Sequence, residues 1–234
     1  MIPIYAIIVA GGSGSRMQSA IPKQFLPLLG EPILVHTLHA FLAIPDIQIR
    51  LVLPANEISF WEKLLDQLEK SRQNQFNNQI QVVAGGATRF QSVSRGLESI
   101  PPEIEEAIVL VHDGVRPLIE VDKIHDVMQA ALDTGAAALA VALKDTPREV
   151  LADGQNKSLD RSKIQLMQTP QGFRLGTMRL AFQLGEQPHF TDCASVLESA
   201  GHPIKLVEGS YQNLKITTPE DLLLAEALLK QRVR

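Results

Sequence analysis

The chain has 234 residues, 45% apolar and 21% charged, which suits one domain with a sizeable core and excludes a disordered chain. Its formal net charge of −4 argues against a general nucleic-acid binder, which carries a basic surplus, so any anion site must be local. Cys193 is the single cysteine, which excludes an intrachain disulfide and fits a reducing, cytoplasmic setting, and the longest smooth apolar stretch, GAAALAVAL, is too short to span a bilayer.

Short apolar runs alternate with helical patterns along the chain. Tyr5 to Ala10 reads as a buried strand that runs straight into glycines, which is unlike a signal peptide. Pro32 to Leu42 has helical spacing after a turn at Gly30. Ile47 to Leu53 reads as a second strand, followed by a helix from about Ser59 to Glu69. Ile80 to Ala84 is a third strand with a helix starting near Phe90, and Ala107 to Asp113 is a fourth. A helix near Asp122 to Thr134 leads into the alanine-rich stretch. This rhythm predicts βαβ units, a mainly parallel sheet and helices on both faces.

The rhythm breaks at Lys144 to Lys163, a polar stretch holding Pro147 and Asp153-Gly154. Its flanks, REVLA and KSLDR, are expected to pair as a hairpin that protrudes from the globule. The α/β pattern then resumes. LKITTPEDLLLAEALL reads as a strand and a helix, with Thr218 and Asp221 as a capping box and Pro219 at the first helical position. Residues 1–234 are expected to form one domain carrying an arm at about 144–163.

The first strand opens into AGGSGSRMQSAIPKQF, and residues 1–30 contain no Asp or Glu. In open parallel sheets ligands sit beyond the carboxyl ends of strands. Successive backbone N–H groups of a glycine loop form an anion nest, and Arg16 and Lys23 add two full charges. The loop is neither a P-loop nor G-x-G-x-x-G, since Met17 occupies the third position, and an ordinary glycine turn with two exposed bases stays open. Two more strand ends carry small residues and charge: Gly85, Gly86 and Ser92 after the third strand, Asp113 and Arg116 at the fourth. Asp113 could instead simply pair with Arg116. In NLKI, Leu214 and Ile216 should point inward and Lys215 outward. His36 and His39 are expected on a helix surface, His112 in the core facing away from Asp113, and Cys193 as a small buried side chain in a helix with no basic partner in sequence.

Taken together, IIVAGGSGSRM, PKQF, GGATRFQSV, VHDGVRP, LDR, QTPQGF, TDCASVLE and LVEGSYQNLKITTPEDL resemble the 2-C-methyl-D-erythritol 4-phosphate cytidylyltransferase family over nearly the whole chain. The resemblance implies a Rossmann-like sheet with a protruding β-arm, a homodimer formed through that arm, and a reaction that joins CTP to a sugar-alcohol phosphate with release of pyrophosphate and help from Mg²⁺. Arg16 and Lys23 would hold the triphosphate and stabilise the transition state. Ala10, Gly11, Gly12, Ser13 and Gly14, with Gly85, Gly86 and Ser92, would hold the nucleotide. Asp113 and Arg116 would bind the acceptor. Thr146 and Arg161, on the arm, would reach the neighbouring subunit's site, and Thr191 and Lys215 would complete the pocket. Arg161 and Lys215 would aim the attacking phosphate. The resemblance leaves the protein ligands of the metal unassigned. The double glycine at Gly11-Gly12 also suits a ribitol-5-phosphate cytidylyltransferase, and a non-catalytic nucleotide-binding regulator is the alternative from another class.

Overall fold

The computed structural model describes residues 2–12, 17, 19 and 21–232. The first strand, β1 (Ile4–Val9), is followed by a short ribbon of β2 (Pro27–Leu28) and β3 (Glu31–Pro32), then α1 (Ile33–Leu42), β4 (Gln48–Leu53), α2 (Ile58–Leu65), α3 (Lys70–Gln79) and β5 (Ile80–Ala84). Next come α4 (Arg89–Glu98), β6 (Ile108–Asp113), α5 (Val121–Thr134) and β7 (Ala136–Ala142). The chain continues through β8 (Arg148–Val150), β9 (Asn156–Ser158), β10 (Gln165–Arg174), α6 (Leu175–Phe182), α7 (Cys193–Ser199), β11 (Lys205–Glu208) and α8 (Pro219–Arg232).

The central sheet has seven strands in the order β11-β7-β10-β6-β1-β4-β5. All its pairings are parallel except those of β10, which runs antiparallel to both β6 and β7. Side chains alternate across the strands, and each face is covered by helices. Ala6 and Ile8 of β1 and Leu110 of β6 pack with Leu34, Leu38 and Phe41 of α1 and Val127 of α5. Tyr5 and Ile7 of β1 and Val109 and Val111 of β6 face the other way, toward Val93 and Leu97 of α4, Met178 of α6 and Val196 of α7. The Rossmann-like α/β reading therefore holds.

Register sets where the site lies. Val9 on β1 is level with Val52 on β4 and with Asp113 on β6, and Leu53 is level with Ala84 on β5. Every loop leaving these strand ends starts from one edge of the sheet.

Two sequence expectations differ from the fold. Leu214 to Thr217 is no strand. Its in-out alternation is present, with Ile216 buried and Lys215 exposed, but Ile216 donates its backbone N–H to Val115 O (2.9 Å) outside any ladder. The helix expected to run to Glu69 ends at Leu65, and a separate helix, α3, follows it. The capping box at the head of α8 is present: the Thr218 N–H donates to Asp221 Oδ2 (2.8 Å), and the Asp221 N–H to Thr218 Oγ1 (3.4 Å).

The polar break does form a hairpin. β8 and β9 pair antiparallel from Arg148 opposite Ser158 to Val150 opposite Asn156, and all six residues are exposed. No helix among the described residues is long and apolar enough to cross a membrane.

Candidate active site

A cleft of about 290 Å³ opens at the carboxyl edge of β1, β4, β5 and β6, walled by Gly11, Gly12, Lys23, Pro54, Gly85, Gly86, Thr88, Arg89, Ser92, Asp113 and Lys215. The level strand ends bring Gly11, Pro54, Gly85 and Asp113 together there, and Lys215 joins them from the C-terminal segment. A larger cleft of about 390 Å³, beside Glu105 and Arg174, lies at the opposite strand ends, where β6 begins.

The glycines have separate reasons. Gly12 has φ +129°, a left-handed conformation that side chains resist. At Gly86 a Cβ would come within 2.3 Å of Gln91 Cβ, so only glycine allows the turn to close onto α4. Ser92 completes that closure: its Oγ accepts the Gly86 N–H (3.1 Å) and donates to Gly86 O (3.4 Å). Thr88 caps α4 by accepting the Gln91 N–H (3.1 Å), and the positive end of the helix dipole faces the cleft. The Gly85 carbonyl accepts from Arg95 Nη1 (2.5 Å).

Asp113 is 7% exposed at the end of β6 and meets three cations. Arg116 Nε lies 3.2 Å from Oδ2, Lys215 Nζ 3.1 Å from Oδ2, and Arg89 Nε 3.7 Å from Oδ1. Burial alone would raise the carboxyl, but Arg89, Lys215 and Arg116 hold it well below the usual carboxylate range. One carboxylate facing three cations leaves a local positive surplus, and Lys23 adds to it from the facing loop. The mildly acidic chain thus concentrates positive charge where its strand ends converge.

His112, one residue earlier, faces the other side and is fully buried. Its Nδ1 lies 3.0 Å from Thr169 Oγ1, which itself accepts the Asp113 N–H (3.1 Å), and its Nε2 lies 3.3 Å from Arg116 O. These partners suit a neutral ring that accepts at Nδ1 and donates at Nε2, and burial pushes its pKa down to about 3.

The segment carrying Lys215 is docked onto an irregular stretch of β10, whose register shifts between Met167 and Gln171. There the Gln168 amide donates to Ser210 O (2.9 Å), and Asn213 Nδ2 donates to Thr169 O (2.8 Å). Arg116 Nη1 donates to Asn213 O (2.7 Å), so this arginine ties β6 to the lysine segment and does not itself line the cleft.

Of the residues singled out from sequence, Gly11, Gly12, Lys23, Gly85, Gly86, Ser92, Asp113 and Lys215 meet around the cleft. Arg16, Ser13 and Gly14 lie outside the described residues. Ala10 is buried just beneath, its N–H on Val52 O (2.9 Å). Thr191 lines a small adjacent crevice that shares Arg89 with the main cleft. Thr146 and Arg161 are exposed on the arm, away from this chain's cleft, and Arg161 Nη1 donates to Lys144 O (3.0 Å). Among the described residues no cluster of His, Cys, Asp and Glu can cage a metal ion, and Asp113 is already engaged by cations, so the residues do not fit a protein-held metal.

The comparisons with known proteins bear on this arrangement. The profile of the family described as IspD, 2-C-methyl-D-erythritol 4-phosphate cytidylyltransferase, matches residues 4–231. The chain belongs to this family. Relatives named as this cytidylyltransferase include that of Geobacillus kaustophilus, 41% identical and covering 97% of both chains, and that of Syntrophus aciditrophicus, 43% identical over 97% of this chain and 96% of its own. Among solved structures, the Francisella tularensis 2-C-methyl-D-erythritol 4-phosphate cytidylyltransferase superposes with a TM-score of 0.79 at 34% identity, covering 96% of this chain and 99% of that one. The 4-diphosphocytidyl-2C-methyl-D-erythritol synthase of Anaerococcus prevotii gives 0.81 at 28% identity, covering 98% and 99%.

Sequence reasoning missed two features of this cytidylyltransferase. Arg89 was legible only as one letter of GGATRFQSV, yet it reaches Asp113 and donates to Cys193 Sγ (3.4 Å). Cys193 is buried as expected, but it has a basic partner after all, brought from 104 residues away by the fold, which sets Arg89 at the head of α4 beside the head of α7. Gln171 is the second: fully buried, it accepts the N–H groups of Cys193 (3.1 Å) and Ala194 (3.2 Å) and donates to Asp192 Oδ2 (2.7 Å), fixing the head of α7 beside Thr191.

Proposed function

We infer that the protein joins CTP to 2-C-methyl-D-erythritol 4-phosphate, giving 4-diphosphocytidyl-2-C-methyl-D-erythritol and pyrophosphate. The observation that carries this is the family match along residues 4–231. The convergence of Lys23, Arg89, Lys215 and the buried Asp113 on one cleft supports it, and the ribitol-phosphate and regulator readings are not favoured.

The acceptor phosphate attacks the α-phosphorus of CTP in line, and pyrophosphate leaves. A phosphate monoester has a second pKa of about 6 and is already a dianion near neutrality, so no protein base is needed. The obstacle is the repulsion between two anions, and fixed cations remove it. In this reading Gly11, Gly12, Ser13 and Gly14 offer backbone N–H groups to the triphosphate, while Arg16 and Lys23 neutralise the charge that develops on the leaving pyrophosphate. The Gly85-Gly86 turn, closed by Ser92, holds the base. Asp113 accepts from acceptor hydroxyls, Lys215 holds the attacking phosphate, and Thr191 borders the acceptor end. Arg116 keeps the Asn213–Lys215 segment in place. Mg²⁺ carried in with CTP would supply further neutralising charge on the phosphates, beside Arg16 and Lys23. Thr146 and Arg161 are proposed to act in the site of a second copy, which makes residues 144–163 the dimerisation arm of a one-domain protein. Its buried thiol, Cys193, accords with a cytoplasmic location.

The test is pyrophosphate release with CTP against methylerythritol phosphate, ribitol 5-phosphate and a xylulose-derived phosphate. The methylerythritol compound should lead in kcat/KM by on the order of 100-fold or more, because a site built around hydroxyl contacts rejects substrates that misplace them. Equal turnover of ribitol phosphate would overturn the acceptor assignment.

A further inference from the structure

The loop residue Lys23 is followed by two side chains that both reach across to the same segment. Lys23–Phe25 forms one turn of 3-10 helix after Pro22. Phe25 is 4% exposed and packs at a tilt against Phe60 of α2, with ring centroids 4.6 Å apart. Gln24 is fully buried, and its Nε2 donates to the carboxylate of Glu57. Glu57 ends a second short turn, Ala55–Glu57, whose N–H bonds Pro54 O (2.9 Å), and Pro54 forms a wall of the cleft. The Lys23 turn is thus fastened at a polar point and at an apolar point to the strand end that faces it.

The apolar point explains itself as core packing. The polar point is costly: Gln24 Oε1 is buried with no hydrogen-bond partner among the described residues, and a carboxylate is held half-buried to receive the amide. An aliphatic residue would fill the same space without an orphaned oxygen. What it would lack is direction, since an amide bonded to a charged acceptor fixes one orientation and dispersion contacts do not. Gln24 is adjacent to Lys23 in the chain, so fixing its orientation fixes the point from which the lysine side chain departs.

We propose that Gln24 and Glu57 are a positioning pair that locks the Lys23 turn onto the β4 strand end, so that the lysine ammonium meets the triphosphate as charge moves onto the leaving group. The inference rests on the reading of Lys23 given under Proposed function. It assigns neither residue a contact with substrate.

The experiment compares Gln24→Leu, Glu57→Ala, Gln24→Glu and the exchanged pair Gln24→Glu with Glu57→Gln, alongside Lys23→Ala. Turnover is measured by pyrophosphate release, and calorimetric titration with CTP counts competent sites. Gln24→Leu and Glu57→Ala should lower kcat roughly 10- to 100-fold, the scale of a misplaced catalytic group, with the CTP stoichiometry at the wild-type value. Gln24→Glu alone sets two carboxylates face to face and should do the same, while the exchanged pair restores an amide on a carboxylate and should return kcat to within about threefold. Loss of kcat only in proportion to lost CTP sites would mean a purely structural pair and overturn the proposal. Wild-type kcat in both Gln24→Leu and Glu57→Ala, with Lys23→Ala severely impaired, would overturn the proposal alone. Wild-type kcat in Lys23→Ala would overturn the reading beneath it. Should Gln24→Leu fail to fold, Glu57→Ala, at a half-buried position, decides.

Discussion

On β6, His112 and Asp113 point to opposite faces of the sheet, and their surroundings impose opposite charge states. Asp113 is ionised because three cations outweigh its burial, so its stabilising contribution is complete above the ordinary carboxylate range and is lost only in strong acid. His112 lies among apolar groups beside the Phe41 ring and is neutral, with its pKa pushed down to about 3 by burial. In the unfolded chain it titrates near 6.5, so below that pH the unfolded state binds the extra proton. The stability is complete above about 6.5 and falls as the pH drops, on the order of 1 kcal/mol per pH unit. Thermal melts at pH 7 and pH 5 should therefore show a clear loss for the wild type and a smaller one for His112→Asn. Equal losses would show that another group carries the acid sensitivity. The burial of His112 follows from strand alternation and was legible in sequence. The cage around Asp113 was only partly so: Arg116 is three residues away, whereas Arg89 and Lys215 are joined to it by the fold alone.

At the level of elements, legibility follows hydrophobic pattern. β1 is a continuous apolar run, β6 is one up to His112 and β4 is interrupted only by Arg50 after Ile49, and all three appear nearly where expected. The helix α3 buries only Phe76 from KSRQNQFNNQ, so it has no apolar stripe to read. Leu214 to Thr217 has the alternation of a strand and no neighbouring strand to pair with, which pattern alone cannot reveal. The antiparallel course of β10 likewise depends on partners chosen in three dimensions. The hairpin of β8 and β9 was readable from its turn chemistry, and its Val150 is 74% exposed, an apolar side chain that suits contact with another chain. Arm sharing makes a specific demand. Mixed dimers of inactive Lys23→Ala and Arg161→Ala subunits contain one site with both residues intact, so mixing should restore part of the activity. No recovery after verified subunit exchange would exclude a shared site.

The whole molecule combines a net charge of −4 with a cleft whose charged groups are mostly positive, so long-range repulsion of anions coexists with strong local attraction. Local attraction dominates at contact, and in the proposed arrangement a pocket too small for a purine selects among nucleotides. CTP at about 100 times its Kd should raise the melting temperature by on the order of 5–10 °C. ATP and GTP at the same concentration should do less, because the base lies against the closed Gly85-Gly86 turn in the proposed arrangement. Equal protection by all three, read by differential scanning fluorimetry, would remove the pyrimidine preference.

β7 ends and β10 begins on facing residues, Ala142 opposite Gln165, so the twenty-odd residues between them depart from the sheet and come back to the same place. A detour of that kind is a cassette. A change in its length leaves the pairing of β7 with β10, and the strand ends that form the cleft, where they are. In the proposed dimer only Thr146 and Arg161 of this detour answer to the reaction, so its tip around Asp153-Gly154 is free to vary while those two positions are held.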